Sequence, residues 1–276
     1  MTTDGTEDSV SAKCCEDDAG CARRSRWPAA AAWGMVLIAF LLRSYGLSHD
    51  FDLGKIYHPD TAKQIAAAER FTRGVFYAEI GHRDYDGYPL FNSVMAAGVY
   101  HVARSVADAV NAQLGLHAER PVSDDKVLLE WIMRSMNVLF SSLSVWVMFL
   151  MARRMAGPGT ALLAAAFLCV SPLDVATCHY ASGDSATAFF ALVSLFFSVR
   201  ILQRGGALDY VLAAAACVCS FSAKYHGALT AFSLIAAHIL RTASLKDLFG
   251  RASFRRAGLV LVTVVALMLG VGTLLG

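Results

Sequence analysis

Apolar runs of bilayer-spanning length recur along this chain and constrain it more than any other feature. A hydrocarbon core of ~30 Å takes roughly 20 apolar residues in a helix. Such runs lie at 28–47, 129–151, 159–177 and 185–203, with a shorter pair at 208–222 and 226–240 and a last run at 257–276. In lipid every backbone N–H and C=O must find a partner inside the protein, which leaves helices or a closed barrel. The residue-by-residue alternation of a barrel strand is absent. The expected class is therefore all-α, a polytopic membrane helix bundle with about seven spanning helices. Composition agrees: 56% of the 276 residues are hydrophobic and 17% charged, outside the range of soluble globular domains. The net charge of +2 says little about partners, because the basic residues sit mostly at segment ends, and no basic and aromatic pattern points to nucleic acid.

Charge placement orients the bundle. Residues 1–26 are polar, poor in aromatics and end in Arg23-Arg24-Ser25-Arg26, which reads as a disordered cytoplasmic tail ahead of a retained first helix. Residues 27–276 then form one transmembrane domain, ending inside an apolar run as a truncated chain would, with a first outer loop at 48–128. Within that loop, 60–72 predicts a short helix and 90–110 a two-faced one. Phe91, Met95, Gly98, Val102 and Val106 share one side of the second, and Ser93, His101, Arg104 and Asp108 the other. Such a helix suits the membrane surface. Keeping 90–110 on the surface places Arg153-Arg154, Arg200, Arg204 and the 241–256 basic cluster inside, as the positive-inside rule requires; letting it span puts two of these clusters outside.

Three polar stretches then fall on the same outer side: Asp60 to Asp86, His179 to Asp184, and Lys224-Tyr225-His226. A carboxylate at the mouth of an apolar bundle is costly to desolvate and usually has a task. Each stretch also has a plainer explanation. Asp60 follows Pro59 at a helix start and can simply cap that helix. Ser171-Pro172-Leu173-Asp174 and His179-Tyr180-Ala181-Ser182-Gly183-Asp184 can be an ordinary loop with Gly183 in a tight turn. Asp86, near His82, Arg83 and Asp84, can be solvated, and Lys224 can snorkel to the interface. His226 and His238 read as packed or interfacial residues rather than ligands. No His, Cys or Glu spacing is a strong metal signature, so no metal ligand is assigned, although a divalent cation is possible. Of the seven cysteines, Cys14, Cys15 and Cys21 lie in the polar head, and Cys169, Cys178, Cys217 and Cys219 lie in or beside apolar runs, where Cys acts as a small hydrophobe.

At these residues the chain resembles integral membrane glycosyltransferases of the GT-C superfamily, and among them family 39 with its protein O-mannosyltransferases and lipid A aminoarabinose transferases. The resemblance runs from about Trp33 to the C-terminus. Its elements are Arg43 near the end of the first helix, His58-Pro59-Asp60, Asp86 before Tyr88-Pro89-Leu90, and Ala152-Arg153-Arg154-Met155-Ala156-Gly157. Ser171-Pro172, His179-Tyr180, Asp184 and Ser222-Ala223-Lys224-Tyr225 follow in the same order. The chain departs from the pattern at Asp60-Thr61, where many relatives carry Asp-Glu, at Gly87-Tyr88, where a Lys or second Pro is frequent, and in its shorter length.

The resemblance implies a GT-C type fold and inverting transfer of a sugar from a polyprenyl-phosphate-linked donor to a hydroxyl acceptor on protein, glycolipid or polysaccharide. The site would face outward from the plasma membrane and need no certain cofactor. Asp60 is then the expected general base, and Asp86, His179, Tyr180, Asp184, Lys224 and Tyr225 the expected substrate-binding residues, with Lys224 and secondarily Arg83 facing the lipid phosphate. The competing class is a non-catalytic membrane protein, a transporter half or assembly subunit. Transporters gather polar residues near the midplane on broken helices, whereas here the acids gather at one boundary.

Overall fold

The computed structural model describes residues 27–48, 58–75, 90–114, 123–242, 250 and 255–266, which contain helices and no strand. In chain order the helices are α1 (Trp27–Ser44), α2 (Pro59–Thr72), α3 (Phe91–Leu114), α4 (Ser123–Ala156), α5 (Pro158–Cys169), α6 (Pro172–Cys178), α7 (Asp184–Gln203), α8 (Ala207–Ala223) and α9 (Thr230–Arg241). A 3-10 turn, Tyr225–Leu229, joins α8 to α9, and residues 255–266 form α10. The all-α reading holds. The 1–26 tail lies outside the described residues.

Among the described residues three helices are long and apolar enough to cross a membrane, Trp27–Ser44, Asp125–Ala156 and Asp184–Gln203, or four if the bent pair α5 and α6 is one crossing. The expected short pair at 208–222 and 226–240 exists as helices of 17 and 12 residues, the second starting later than expected because the 3-10 turn precedes it. The expected crossing at 159–177 is broken. α5 and α6 meet at 52° because Pro172 has no N–H to offer the Leu168 carbonyl four residues back. The Ser171 N–H reaches that carbonyl instead, at 3.3 Å.

Helix α4 is longer than the 129–151 expected. Its 34 residues span ~50 Å, more than a bilayer is thick, so its first turns stand clear of the apolar layer and support the loop helices. There Leu129, Ile132 and Met133 pack with Ala68 of α2, Ala96 and Tyr100 of α3, and Ala181. Deeper in the bundle, Ala32, Val36 and Ala39 of α1 meet Val145 and Phe149 of α4 and Ala161, Ala165 and Cys169 of α5. Small residues dominate this seam, as close packing in lipid favours.

Both loop helices form where the sequence places them. Met95, Val99, Val102 and Val106 of α3 are exposed, while Asn92, Ser93, Ala96 and Ala97 are buried. The apolar face of α3 thus looks outward and the small, polar face packs inward. That is the arrangement of a helix lying along an apolar surface.

The termini sort by charge. Arg154 of α4 bonds Gln203 at the end of α7, Arg200 pairs with Asp209 at 2.8 Å, and Arg241 donates to the Ile201 carbonyl at 2.9 Å. These arginines share one end of the bundle. Asp184 opens the same α7 that Gln203 closes, 20 residues away, or ~30 Å along a helix. The arginine end and the carboxylate end are therefore a membrane thickness apart.

Candidate active site

The site begins with how α2 starts. His58 is its N-cap, in extended backbone, and its Nδ1 accepts from the Asp60 N–H at 3.2 Å; Pro59 takes the first helical position, where a missing N–H costs nothing. Capping therefore falls to His58, and the Asp60 carboxylate is used elsewhere.

It meets Lys224. The ammonium lies 3.1 Å from Asp60 Oδ2 and 2.6 Å from Asp184 Oδ1. All three side chains are largely withdrawn from solvent, 20%, 28% and 17% exposed for Asp60, Asp184 and Lys224. Burial alone would lower the Lys224 pKa, but the hydrogen bonds it donates to Asp184 and Asp60, together with the charges of those two acids, outweigh it and leave the pKa above its ordinary value. A raised lysine stabilises the fold fully below its unfolded pKa and loses that contribution only as pH rises through the folded one. The bridge is thus intact throughout the neutral range.

Chain geometry delivers these groups. Asp184 is the first residue of α7, where the helix dipole favours a carboxylate, and its Oδ2 accepts from Ser182 Oγ at 2.9 Å. Lys224 leaves α8 in extended backbone. The two ends touch at Gly183, whose φ of −80° is ordinary. Its need for glycine comes from close approach: a Cβ there would run into the Ala223 carbonyl oxygen. Gly183→Ala should push α8 off α7, costing roughly 1–3 kcal/mol and lowering both melting temperature and activity. Gly34→Ala, which meets nothing within 4 Å, should lower neither. Equal behaviour of the two variants would remove this contact from the account.

The turn before Gly183 is held by two amides that sequence reasoning passed over. Asn137 Nδ2 donates to the carbonyls of Tyr180 at 2.6 Å and Ser182 at 2.9 Å, and Asn92 Nδ2 donates to Ser182 O at 2.6 Å. Their signal was an amide within an otherwise apolar helix. Ser93 Oγ donates to the Gln64 carbonyl at 2.9 Å and fastens α2 to α3.

The expected residues divide. Asp60, Asp184 and Lys224 come together, with the His58 ring 5.3 Å from that of Tyr180. His179 turns away, its Nε2 donating to the Arg43 carbonyl at 2.7 Å. Tyr225 is 54% exposed and leans on Phe221. Asp86 lies outside the described residues, as do His82, Arg83 and Asp84. His226 borders a cavity beside Asp184, and His238 is a packed residue bonded to Tyr210 at 2.9 Å.

Also unforeseen is a buried network beneath the turn. The fully buried Arg43 pairs with Asp174 at 2.5 Å, donates to Ser141 Oγ, and reaches the carbonyls of Leu168 at 3.0 Å and Cys169 at 2.9 Å. These carbonyls are the ones stranded where α5 breaks.

One atom each from His58, Asp60 and Asp184 lie within 4.8 Å of one another, a spacing that can hold a metal ion. The Lys224 ammonium already touches both carboxylates, so a divalent ion there would have to displace it. Two cavities flank the turn: one of about 600 Å³ bordered by Tyr45, Ser48, Arg134, His179 and Tyr180, the other of about 380 Å³ bordered by Asp184, Ser185, Thr187, His226 and Thr230. A paired acid with hydroxyl-rich space beside it suits proton transfer from a polyhydroxyl substrate.

Comparison with known families agrees. Residues 127–273 match the dolichyl-phosphate-mannose-protein mannosyltransferase family. The match includes His179, Tyr180, Asp184, Lys224 and Tyr225, and begins after Arg43 and Asp60. No individual curated protein matches. The chain belongs to the dolichyl-phosphate-mannose-protein mannosyltransferase family and is an integral membrane glycosyltransferase of the mannosyltransferase kind.

Proposed function

We propose that this chain transfers a sugar from a polyprenyl-phosphate-linked donor to a hydroxyl acceptor, with inversion, on the extracytoplasmic side of the plasma membrane. The observation that carries the proposal is the sharing of Lys224 by Asp60 and Asp184 at the end of the bundle opposite Arg154, Arg200 and Arg241. A lipid-linked donor suits that place, since its tail remains in the bilayer while its phosphate lies at the interface.

In this reaction Asp60 takes the acceptor hydroxyl proton as that oxygen attacks the anomeric carbon. The bond from that carbon to the phosphate oxygen breaks, and the electron pair leaves with the polyprenyl phosphate. Two acids and one ammonium sum to one negative charge, so Lys224 holds Asp60 ionised while Asp184 holds Lys224 in line. Lys224 is thereby engaged with carboxylates, and its expected hold on the donor phosphate becomes secondary. The 380 Å³ cavity beside Asp184 is assigned to the sugar. Asp86 and Tyr180 are assigned to orienting sugar or acceptor, on motif order for the first and on nearness to His58 for the second.

The test is transfer from polyprenyl-phosphate mannose in membranes carrying the chain, measured across pH for Lys224→Met. Removing the ammonium leaves Asp60 facing Asp184 alone. Like charges raise carboxyl pKa values, so the acid limb of the rate profile should move to higher pH. An acid limb that stays put, with the protein folded, would take Lys224 out of this role. Absence of any transfer by the unaltered chain from lipid-linked donors would remove the proposed donor class.

A further inference from the structure

At the arginine end, the α7–α8 corner and the start of α10 enclose a cavity of about 570 Å³. Arg255 and Arg256 line it on one side, the Gly205–Ala207 backbone on another, and Leu259 and Val262 form its apolar wall. That volume is within the usual range for a ligand site. The surroundings are strongly positive. The Arg241 guanidinium occupies the space a Cβ on Gly205 would need, where φ is +63°. Asp209, the acid of this corner, is buried and already paired with Arg200. Among the described residues no carboxylate pairs with Arg255 or Arg256, and Arg256 lies over the Tyr210 ring at 6.0 Å.

Two more features point the same way. α8 starts at the cavity edge from Gly206, a cap with no side-chain acceptor, so its first N–H groups and positive dipole end face this corner. Beyond the arginines the rim is apolar and open, with Val262 66% exposed. A cationic floor with an apolar, outward-facing rim matches an amphiphile that brings a phosphate and hydrocarbon together.

We infer that this cavity binds the phosphate headgroup of an anionic phospholipid from the leaflet at the arginine end, with its acyl chains lying along Leu259 and Val262. Basic pockets between membrane helices on the cytoplasmic side are suited to such headgroups. The site is a membrane thickness from Asp60 and independent of the transfer chemistry.

Native mass spectrometry of the detergent-purified full chain, offered equal phosphatidylglycerol and phosphatidylcholine, tests the inference. Phosphatidylglycerol adducts should predominate, and Arg255→Gln with Arg256→Gln should weaken that preference roughly 10–30-fold. Arg153→Gln with Arg204→Gln removes the same charge from exposed positions at the same end and should leave the preference nearly unchanged. Gly258→Phe fills the cavity with every charge kept. Nothing lies within 4 Å of a Cβ there, so the variant should fold and should also lose the preference. Equal loss in both arginine pairs would mean diffuse charge attraction and overturn the site. So would an unaffected Gly258→Phe. Full displacement of the lipid by millimolar glycerol phosphate would assign the cavity to a soluble phosphate and overturn the lipid assignment.

Discussion

Asp60→Asn should reduce sugar transfer by roughly 10²–10⁴-fold, the usual contribution of a positioned general base, while the protein still inserts and folds. The amide keeps the shape of the carboxylate but cannot accept the acceptor proton. The fold has little reason to fail. His58, not Asp60, caps α2, and Lys224 keeps Asp184 at 2.6 Å, so no charge is left buried and alone. Asp184→Asn separates two assignments. It loosens Lys224 but leaves the base, so its loss should be clearly smaller than that of Asp60→Asn. If Asp184→Asn costs more, the two acids exchange roles; near-normal turnover by Asp60→Asn sinks the base assignment altogether. Transfer from lipid-linked sugar at saturating donor, with melting temperature measured beside it, distinguishes these results from unfolding.

What the sequence revealed here followed from local chemistry. Apolar runs named the helices, because a lipid setting leaves the backbone no alternative. Pro59 and Pro89 marked the loop helices, and the arginines marked one end of the bundle. The acids at positions 60 and 184 stood out because charge is costly at that boundary. What could not be read were pairings made across the fold. Lys224 as a bridge between two acids requires α8 to end against Gly183, a contact between residues 40 positions apart. The Asn137 hold on the 180–182 carbonyls depends on α4 passing beneath that turn. Composition also says little about helix length. A 12-residue helix such as α9 is apolar enough to read as a span but is ~18 Å long, short of the bilayer. The broken segment shows the same limit. Ser171-Pro172 signalled an interruption, yet the carbonyls it strands are answered by Arg43, 125 and 126 residues away.

Arg43→Met should cost about 3–5 kcal/mol, the penalty of removing one partner from a buried ion pair, and should lower the melting temperature by roughly 10 °C for a chain of this size. Arg43 is fully buried, so Met replaces its volume without a donor. The loss has two sources, and they can be separated. Asp174 is left with Ser141 as its partner in the network, and the carbonyls of Leu168 and Cys169 lose the guanidinium at the helix break. Adding Asp174→Leu removes the stranded charge, and replacing both members of a buried pair by apolar groups is often nearly neutral. The double variant should therefore regain part of the lost stability, and the deficit that remains measures what Arg43 gives the two carbonyls. Full recovery would show that the break at 170–171 satisfies itself. No recovery would place the whole effect at the break. Either result bears on the site, because the Arg43 carbonyl also holds His179, at the head of the turn that ends in Asp184. If that connection matters, Arg43→Met with Asp174→Leu will still transfer sugar more slowly than its regained stability would suggest.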